Sequence, residues 1–186
     1  MIILREWAMP NKNTFSIPPI GALIKKYLHD GRWIDPFVRN SIYKSKMKYC
    51  NDLNKDIDAT HNIDALDFMR LFGDNSMDGV LFDPPYSPRQ IAECYQGIGK
   101  KTTMKDTQSR FWGDLKYEIA RVLKPGGICI SFGWNSGGLG SIYDCHILEV
   151  LIVAHGGWHN DTICTVDQKS NQYPLDFQQQ QQQVTK

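Results

Sequence analysis

The chain has 186 residues, 41% of them hydrophobic and 22% charged, with a formal net charge of +1. That length suits one domain around a single core, and the composition is that of a globular protein, which excludes fibrous, collagen-like and wholly disordered classes. No stretch reaches the ~18 apolar residues of a membrane span and no basic leader precedes an apolar run, so no membrane partner is expected and the protein is read as cytoplasmic.

Residues 1–18 contain Trp7, Pro10 and Pro18 among polar residues and read as an extended lead-in. Leu23, Ile24, Tyr27 and Leu28 then recur at helical spacing, which predicts a short amphipathic helix over 21–29. Trp33-Ile34 running into Asp35-Pro36 predicts a short buried strand stopped by proline, and residues 47–53 predict a second that ends in Asn51-Asp52. ALDFMRLF over 65–72 reads as a helix stopped by Gly73, and the apolar run 79–82, ending at Asp83, as the clearest buried strand. Residues 87–111 are polar without a sustained period and are expected to form one long loop, a length that in compact domains tends to serve function.

Beyond it, 112–123 predicts a helix broken by Lys124-Pro125-Gly126-Gly127 before a strand at 128–132. Residues 146–154 and 162–168, joined by the turn-rich HGGWHND, predict an antiparallel hairpin. The expected fold class is therefore α/β: a mostly parallel sheet with a C-terminal antiparallel hairpin. One domain spans 1–176, and the glutamine-rich tail, 177–186, is expected to be disordered because it has no apolar surface to bury.

Five cysteines, odd in number, widely spaced and without a C-x-x-C pair, support neither a disulfide framework nor a zinc site. His155 and His159 are read as turn or core histidines, and no metal is expected. Charge is uneven: residues 1–50 carry nine Lys/Arg against three Asp/Glu, 51–86 two against eight, and 87–125 eight against four. Basic segments on either side of an acidic one suit a polyanion gripped around an acidic pocket, and suit ordinary solvated faces equally.

The residues that carry chemistry are Asp83-Pro84-Pro85-Tyr86, directly after the strand GVLF. In open α/β sheets ligands bind beyond the carboxyl ends of the strands, which is where this segment lies. An exocyclic aromatic amine is a poor nucleophile because its lone pair is delocalised into the ring. A carboxylate at Asp83 and a carbonyl at Pro84 can each accept one of its hydrogens and so localise that lone pair. Two prolines fix the backbone and offer no competing N–H. Tyr86 adds a flat face on which a base turned out of its duplex can stack. The plain alternative is a proline turn closing a strand.

These residues and their setting resemble the DNA amino-methyltransferases, whose catalytic motif is D/N/S-P-P-Y/F/W, over roughly residues 14–170. The aspartate form is similar to the adenine-N6 branch, and the chain as a whole to compact phage and prophage adenine methylases. The resemblance implies S-adenosyl-L-methionine as cofactor and DNA as partner. It implies that Phe15 and Pro18 form a cofactor wall, that Asp35-Pro36-Phe37 is the first cofactor motif, that Asp52 takes the ribose hydroxyls and that Asp64 lies beside the cofactor adenine. Independently of the family, a carboxylate at a strand end can accept two ribose hydroxyls, and aromatic or carboxylate neighbours such as Phe37 and Asp83 suit a sulfonium. For Asp52 and Asp64 the alternative is turn formation and helix capping.

Two departures from the family pattern stand out. The glycine-rich loop expected after the first strand is replaced by DPFVRNS, with Arg39 where a small residue belongs. Only eleven residues separate Asp52 from Asp64, too few for a crossover helix and strand, so one strand-helix unit is expected to be truncated. No sizeable target-recognition region is present either. Arg89, Lys100, Lys101, Lys105 and Arg110 are the candidate phosphate contacts, and Trp134 a candidate wall of the base pocket. Phosphate contacts carry no sequence information, so low or short-site specificity is expected. Rival readings are an RNA adenine methyltransferase, a DNA cytosine-N4 methyltransferase and an inactive nucleic-acid-binding relative.

Overall fold

The apolar runs of this sequence pair into one sheet in a computed structural model, which describes residues 1–85, 87–97 and 109–171. Its seven strands are β1 (Ile2–Trp7), β2 (Trp33–Asp35), β3 (Tyr49–Cys50), β4 (Met77–Phe82), β5 (Leu123–Gly133), β6 (Cys145–Ala154) and β7 (Thr162–Lys169), in the order β1-β6-β7-β5-β4-β2-β3. All neighbours are parallel except β7, which is antiparallel to both β5 and β6. The mostly parallel α/β sheet with its antiparallel hairpin is thus present. The eleven residues between Asp52 and Asp64 hold neither helix nor full strand, β3 continuing only into a single parallel bridge, Asn51 to His61, and the crossover from β2 to β3 is likewise short, with only a 3-10 turn at Lys44–Lys46.

Side chains alternate between the faces along each strand. In β4, Leu81 enters the core beneath helix α1 (Pro18–Tyr27), with Ile20, Ile24 and Ile130. Val80 and Phe82 enter the core beneath α2 (Ala65–Arg70) and α4 (Ser109–Val122), with Phe68, Leu115 and Ile119. Each of these fully buried side chains contributes roughly 1.5–3 kcal/mol. Helix α1 starts on Pro18-Pro19, where missing N–H groups cost nothing, and Leu115, Ile119 and Val122 give α4 its buried stripe.

Four local expectations are corrected. The lead-in contains an edge strand, β1, paired with β6 but exposed along its whole length; with neither face buried it has no alternating pattern to read. The strand expected over 47–53 keeps only Tyr49–Cys50. Asn51, 1% exposed, there turns its side chain to the backbone: Nδ2 donates to the carbonyls of Pro36 and Ile63, and Oδ1 accepts the N–H of Ile63. The long loop is in part helix α3 (Pro88–Gly97), begun by proline at its first position, with the Ser87 hydroxyl accepting the N–H of Gln90 at 3.2 Å and Ile91 buried. Strand β5 begins at Leu123 rather than 128, with residues 124–127 bulging out between the Met77–Leu123 and Gly79–Ile128 pairs. The glutamine-rich tail lies outside the described residues.

Candidate active site

Strand order reverses at β2, which is flanked by β3 on one side and β4 on the other, so its carboxyl end is the switch point at which such sheets bind ligands. Asp35 occupies that end, and Asp83 follows the adjacent β4. Three clefts open along this edge, and consecutive residues of the Asp83-Pro84-Pro85 segment each line a different one.

The first cleft, of about 530 Å³, has apolar walls of Pro36, Phe37, Ala65, Pro85, Ile91 and Phe111, with Asp52 and Asp64 among its polar groups. Asp52 ties the turn after β2 to the end of β3: its Oδ2 accepts the Arg39 N–H at 3.0 Å and its Oδ1 the Asn54 N–H at 2.8 Å. Asp64 caps α2 through Oδ1, which accepts from Leu66 and Asp67, while its Oδ2 accepts the Tyr95 hydroxyl from α3 at 3.4 Å. Turn-forming and capping are therefore real roles of both aspartates. A carboxylate has about four lone-pair sites, so each retains acceptor capacity on the cleft side.

The second cleft, of about 620 Å³, shares Phe37 and Arg39 with the first and adds Phe15, Lys12 and Asp83. Phe15 is held in place by Phe132 of β5, ring centroids 4.9 Å apart. Asp35 is completely buried. Its Oδ1 accepts the Phe37 N–H at 2.9 Å, and its Oδ2 has no hydrogen-bond partner. Burial pushes its pKa up to about 8, and the carboxylates of Asp83 and Asp52 push in the same direction.

The turn that replaces the glycine loop is made by Arg39, with φ +41°, closed by the Val38 N–H on the Asn51 carbonyl at 2.9 Å. A left-handed residue with a Cβ costs roughly 1–2 kcal/mol, which the bonds from Asp52 and Asn51 offset.

The third cleft, of about 490 Å³, is lined by Pro84, Trp112, Lys116, Trp134, Asn135 and Thr165, among others. Trp112 donates its indole N–H to the Pro85 carbonyl at 3.1 Å, and Lys116, one turn on, donates to the Gly138 carbonyl. Among the described residues no hydrogen bond engages the carbonyl of Pro84. Behind this cleft Asp167 is buried with neither carboxylate oxygen hydrogen-bonded; burial raises its pKa to about 6, against the pull of the nearby Leu139 N–H and Lys116.

Of the residues singled out in the sequence, Phe15, Asp35, Pro36, Phe37, Asp52, Asp64, Asp83, Pro84, Pro85 and Trp134 converge on this edge. Pro18 instead serves as the exposed start of α1, and Arg89 is exposed on α3. Arg110 lies in α4. Tyr86, Lys100, Lys101 and Lys105 lie outside the described residues. Tyr95, Trp112 and Lys116 line the clefts without having been singled out, because their spacing reads as ordinary helix faces.

No protein-family model matches the chain, and no curated protein matches it in sequence. Solved structures do. The 1,6-didemethyltoxoflavin-N1-methyltransferase of Burkholderia thailandensis, solved with S-adenosylhomocysteine, matches with a TM-score of 0.53 at 11% identity, over 82% of this chain and 77% of that one. TrmN from Thermus thermophilus matches with 0.53 at 16%, over 82% and 49%, and the putative methyltransferase yhhF from Escherichia coli with 0.52 at 8%, over 82% and 85%. The chain thus has the Rossmann-like fold of the S-adenosylmethionine-dependent methyltransferases.

Proposed function

We propose that the protein is an S-adenosyl-L-methionine-dependent methyltransferase acting on N6 of adenine in DNA, with low or short-site sequence specificity. The observation that carries this reading is the placement of Asp83, Pro84 and Pro85 on three adjoining clefts, beside a buried Asp35 with an orphaned oxygen.

The residues present fit that cofactor. A lone buried carboxylate oxygen, with two more carboxylates close enough to raise its pKa, calls for a cation, and S-adenosylmethionine carries an ammonium and a sulfonium. Asp35 and Asp83 would hold the cationic end, Phe15 and Phe37 would flank it, Asp52 would take the ribose hydroxyls, and the apolar first cleft with Asp64 would take the adenine. When bound, the cofactor supplies an electrophilic methyl group.

On the substrate side the chain's own residues make the amine reactive. The Asp83 carboxylate and the Pro84 carbonyl each accept one amine hydrogen, which favours a pyramidal nitrogen and fixes its direction of attack. Trp112 holds the adjacent Pro85 carbonyl, so the Pro84 carbonyl is presented from an anchored segment. Trp134 supplies a flat surface for the extruded base, a role that the motif also assigns to Tyr86, and Lys116 with the exposed Arg89 cationic groups for the strand that carries it. No cysteine nucleophile is required.

Incubating the protein with labelled cofactor and unmethylated DNA, then digesting to nucleosides, tests the proposal. Label in N6-methyladenine is expected. Label in N4-methylcytosine, label in RNA alone, or none at all overturns it.

A further inference from the structure

The hairpin of β6 and β7 carries a feature that the methyl-transfer chemistry leaves unused. Strand β5 runs parallel to β4, β7 antiparallel to β5, and β6 antiparallel to β7, so the hairpin turn emerges at the same end of the sheet as Asp83. The β7 and β6 positions lie two and three strands away from β4. At ~4.8 Å per strand that is about 10–15 Å from the Asp83 segment.

In this turn Gly156 and Gly157 sit at φ +68° and +59°, a conformation that residues lacking a Cβ adopt without steric cost. They deliver Trp158 fully to solvent, at 103% relative exposure. The base of the turn is firmly held. His155 is buried, its Nδ1 bonded to the Ala8 carbonyl at 2.7 Å and its Nε2 to the Thr162 hydroxyl at 2.8 Å, and its N–H donates to Asp161. A second indole stands on the same rim: Trp7 is 66% exposed, and a Cβ on Gly156 would lie 3.3 Å from its Nε1.

Leaving a whole indole in water contributes nothing to the core, and exposed apolar surface of this kind marks an interaction site. The rim also says what kind of partner it fits. From Ala8 the chain reaches Thr14, on the wall of the Asp83 cleft, within six residues, at most about 21 Å. Along that path stands Lys12, with Arg39 and Lys116 on the walls of the neighbouring clefts, while the one acidic side chain of the turn, Asp161, is engaged at its base by the His155 N–H. Flat aromatic faces together with cations are the combination that grips the bases and phosphates of a nucleic-acid strand.

Resting on the reading of this protein as a DNA methyltransferase, we propose that Trp158, with Trp7 on the same rim, is a stacking platform for a base flanking the target. At 3.4 Å per nucleotide along a strand, that lateral offset corresponds to a base at least about three nucleotides from the methylated adenine.

Steady-state methyl transfer by the full chain, on DNA with a single target adenine, tests this with wild type, Trp158→Ala and Trp158→Phe. Trp158→Ala is expected to raise the KM for DNA about tenfold or more with kcat little changed, and Trp158→Phe to recover most of that loss. Trimming the DNA to two nucleotides beyond the target should raise the wild-type KM by a similar factor and barely affect Trp158→Ala. Equal KM values for wild type and Trp158→Ala overturn the inference and leave the functional reading standing. An effect of Trp158→Ala that ignores DNA length, or a concentration-dependent self-association that the substitution abolishes without changing KM, also overturns it. Absence of methyl transfer to any nucleic acid by the wild type removes the functional reading and this inference with it.

Discussion

Trp112 of α4 donates its indole N–H to the carbonyl oxygen of Pro85 at 3.1 Å, tying a helix from one face of the sheet to the last proline of the Asp83 segment. The bond links fold to chemistry, because Pro85 lines the first cleft while Pro84, its neighbour, lines the third. Trp112→Phe keeps the apolar ring and deletes the donor. It is expected to cost about 1 kcal/mol, a melting shift of roughly 2–4 °C, and to lower kcat about ten- to a hundredfold through misplacement of the Pro84 carbonyl. Calorimetry and single-turnover methyl transfer check the two parts, and unchanged kcat would separate this bond from the chemistry.

Asp83→Ala removes the acceptor that polarises the amine. It is expected to lower kcat by at least about a thousandfold while weakening cofactor binding only severalfold, since Asp35, Phe37, Asp52 and Asp64 all remain. Asp83→Asn keeps one acceptor oxygen but not the charge, so its activity should fall between the two. Titration calorimetry with the cofactor, run beside the rate measurement, makes the distinction, and a fully active Asp83→Ala protein would sink the mechanism.

Asp83 was legible because its signal is local: an apolar run, an acid and two prolines in a row. Asp52 and Asp64 were legible in both their roles, since Asx turns and helix caps are written within a few residues, and the structure shows those roles alongside a place on the cleft wall. The parallel sheet and the hairpin followed from periodicity. Tyr95, Trp112 and Lys116 were not legible, because what distinguishes them is the approach of α3 and α4 to segments far away in sequence. Strand β1 escaped for the same reason, its partner β6 lying at the other end of the chain. Helix α3 was hidden by polar composition, and its one local signal is the helix start at Ser87-Pro88.

Arg39 does with a left-handed backbone what a glycine would do at no steric cost, and the backbone bonds from Asp52 and Asn51 hold it there. Arg39→Gly relieves the steric cost but frees the unfolded chain by about 0.4–1 kcal/mol, so stability should stay within about 1 kcal/mol of wild type. Arg39→Ile, β-branched at the same φ, should lose a further 1–2 kcal/mol or so. Urea denaturation of both variants checks the order, and a glycine variant less stable than the isoleucine one would contradict it.

Asp35 makes the stability of the ligand-free protein depend on pH in a direction opposite to that of an ordinary surface carboxylate. Its pKa in the fold stands at about 8, against 3.8 for the free side chain, so between those values the folded chain binds more protons than the unfolded one. Stability from this group is therefore complete below about pH 4 and lost progressively as pH rises toward 8, by an amount on the order of a few kcal/mol. Asp35→Asn should flatten that slope. A cationic ligand acts the other way, because it stabilises the ionised carboxylate: S-adenosylmethionine is expected to expel a proton on binding near pH 7 and to bind more tightly as pH rises toward 8. S-adenosylhomocysteine, which lacks the sulfonium, should expel less. Calorimetric titrations at pH 7 in two buffers of different ionisation enthalpy measure the proton count directly. No proton release in the wild type, or the same release in Asp35→Asn, would show that this carboxylate does not meet the cofactor's charge.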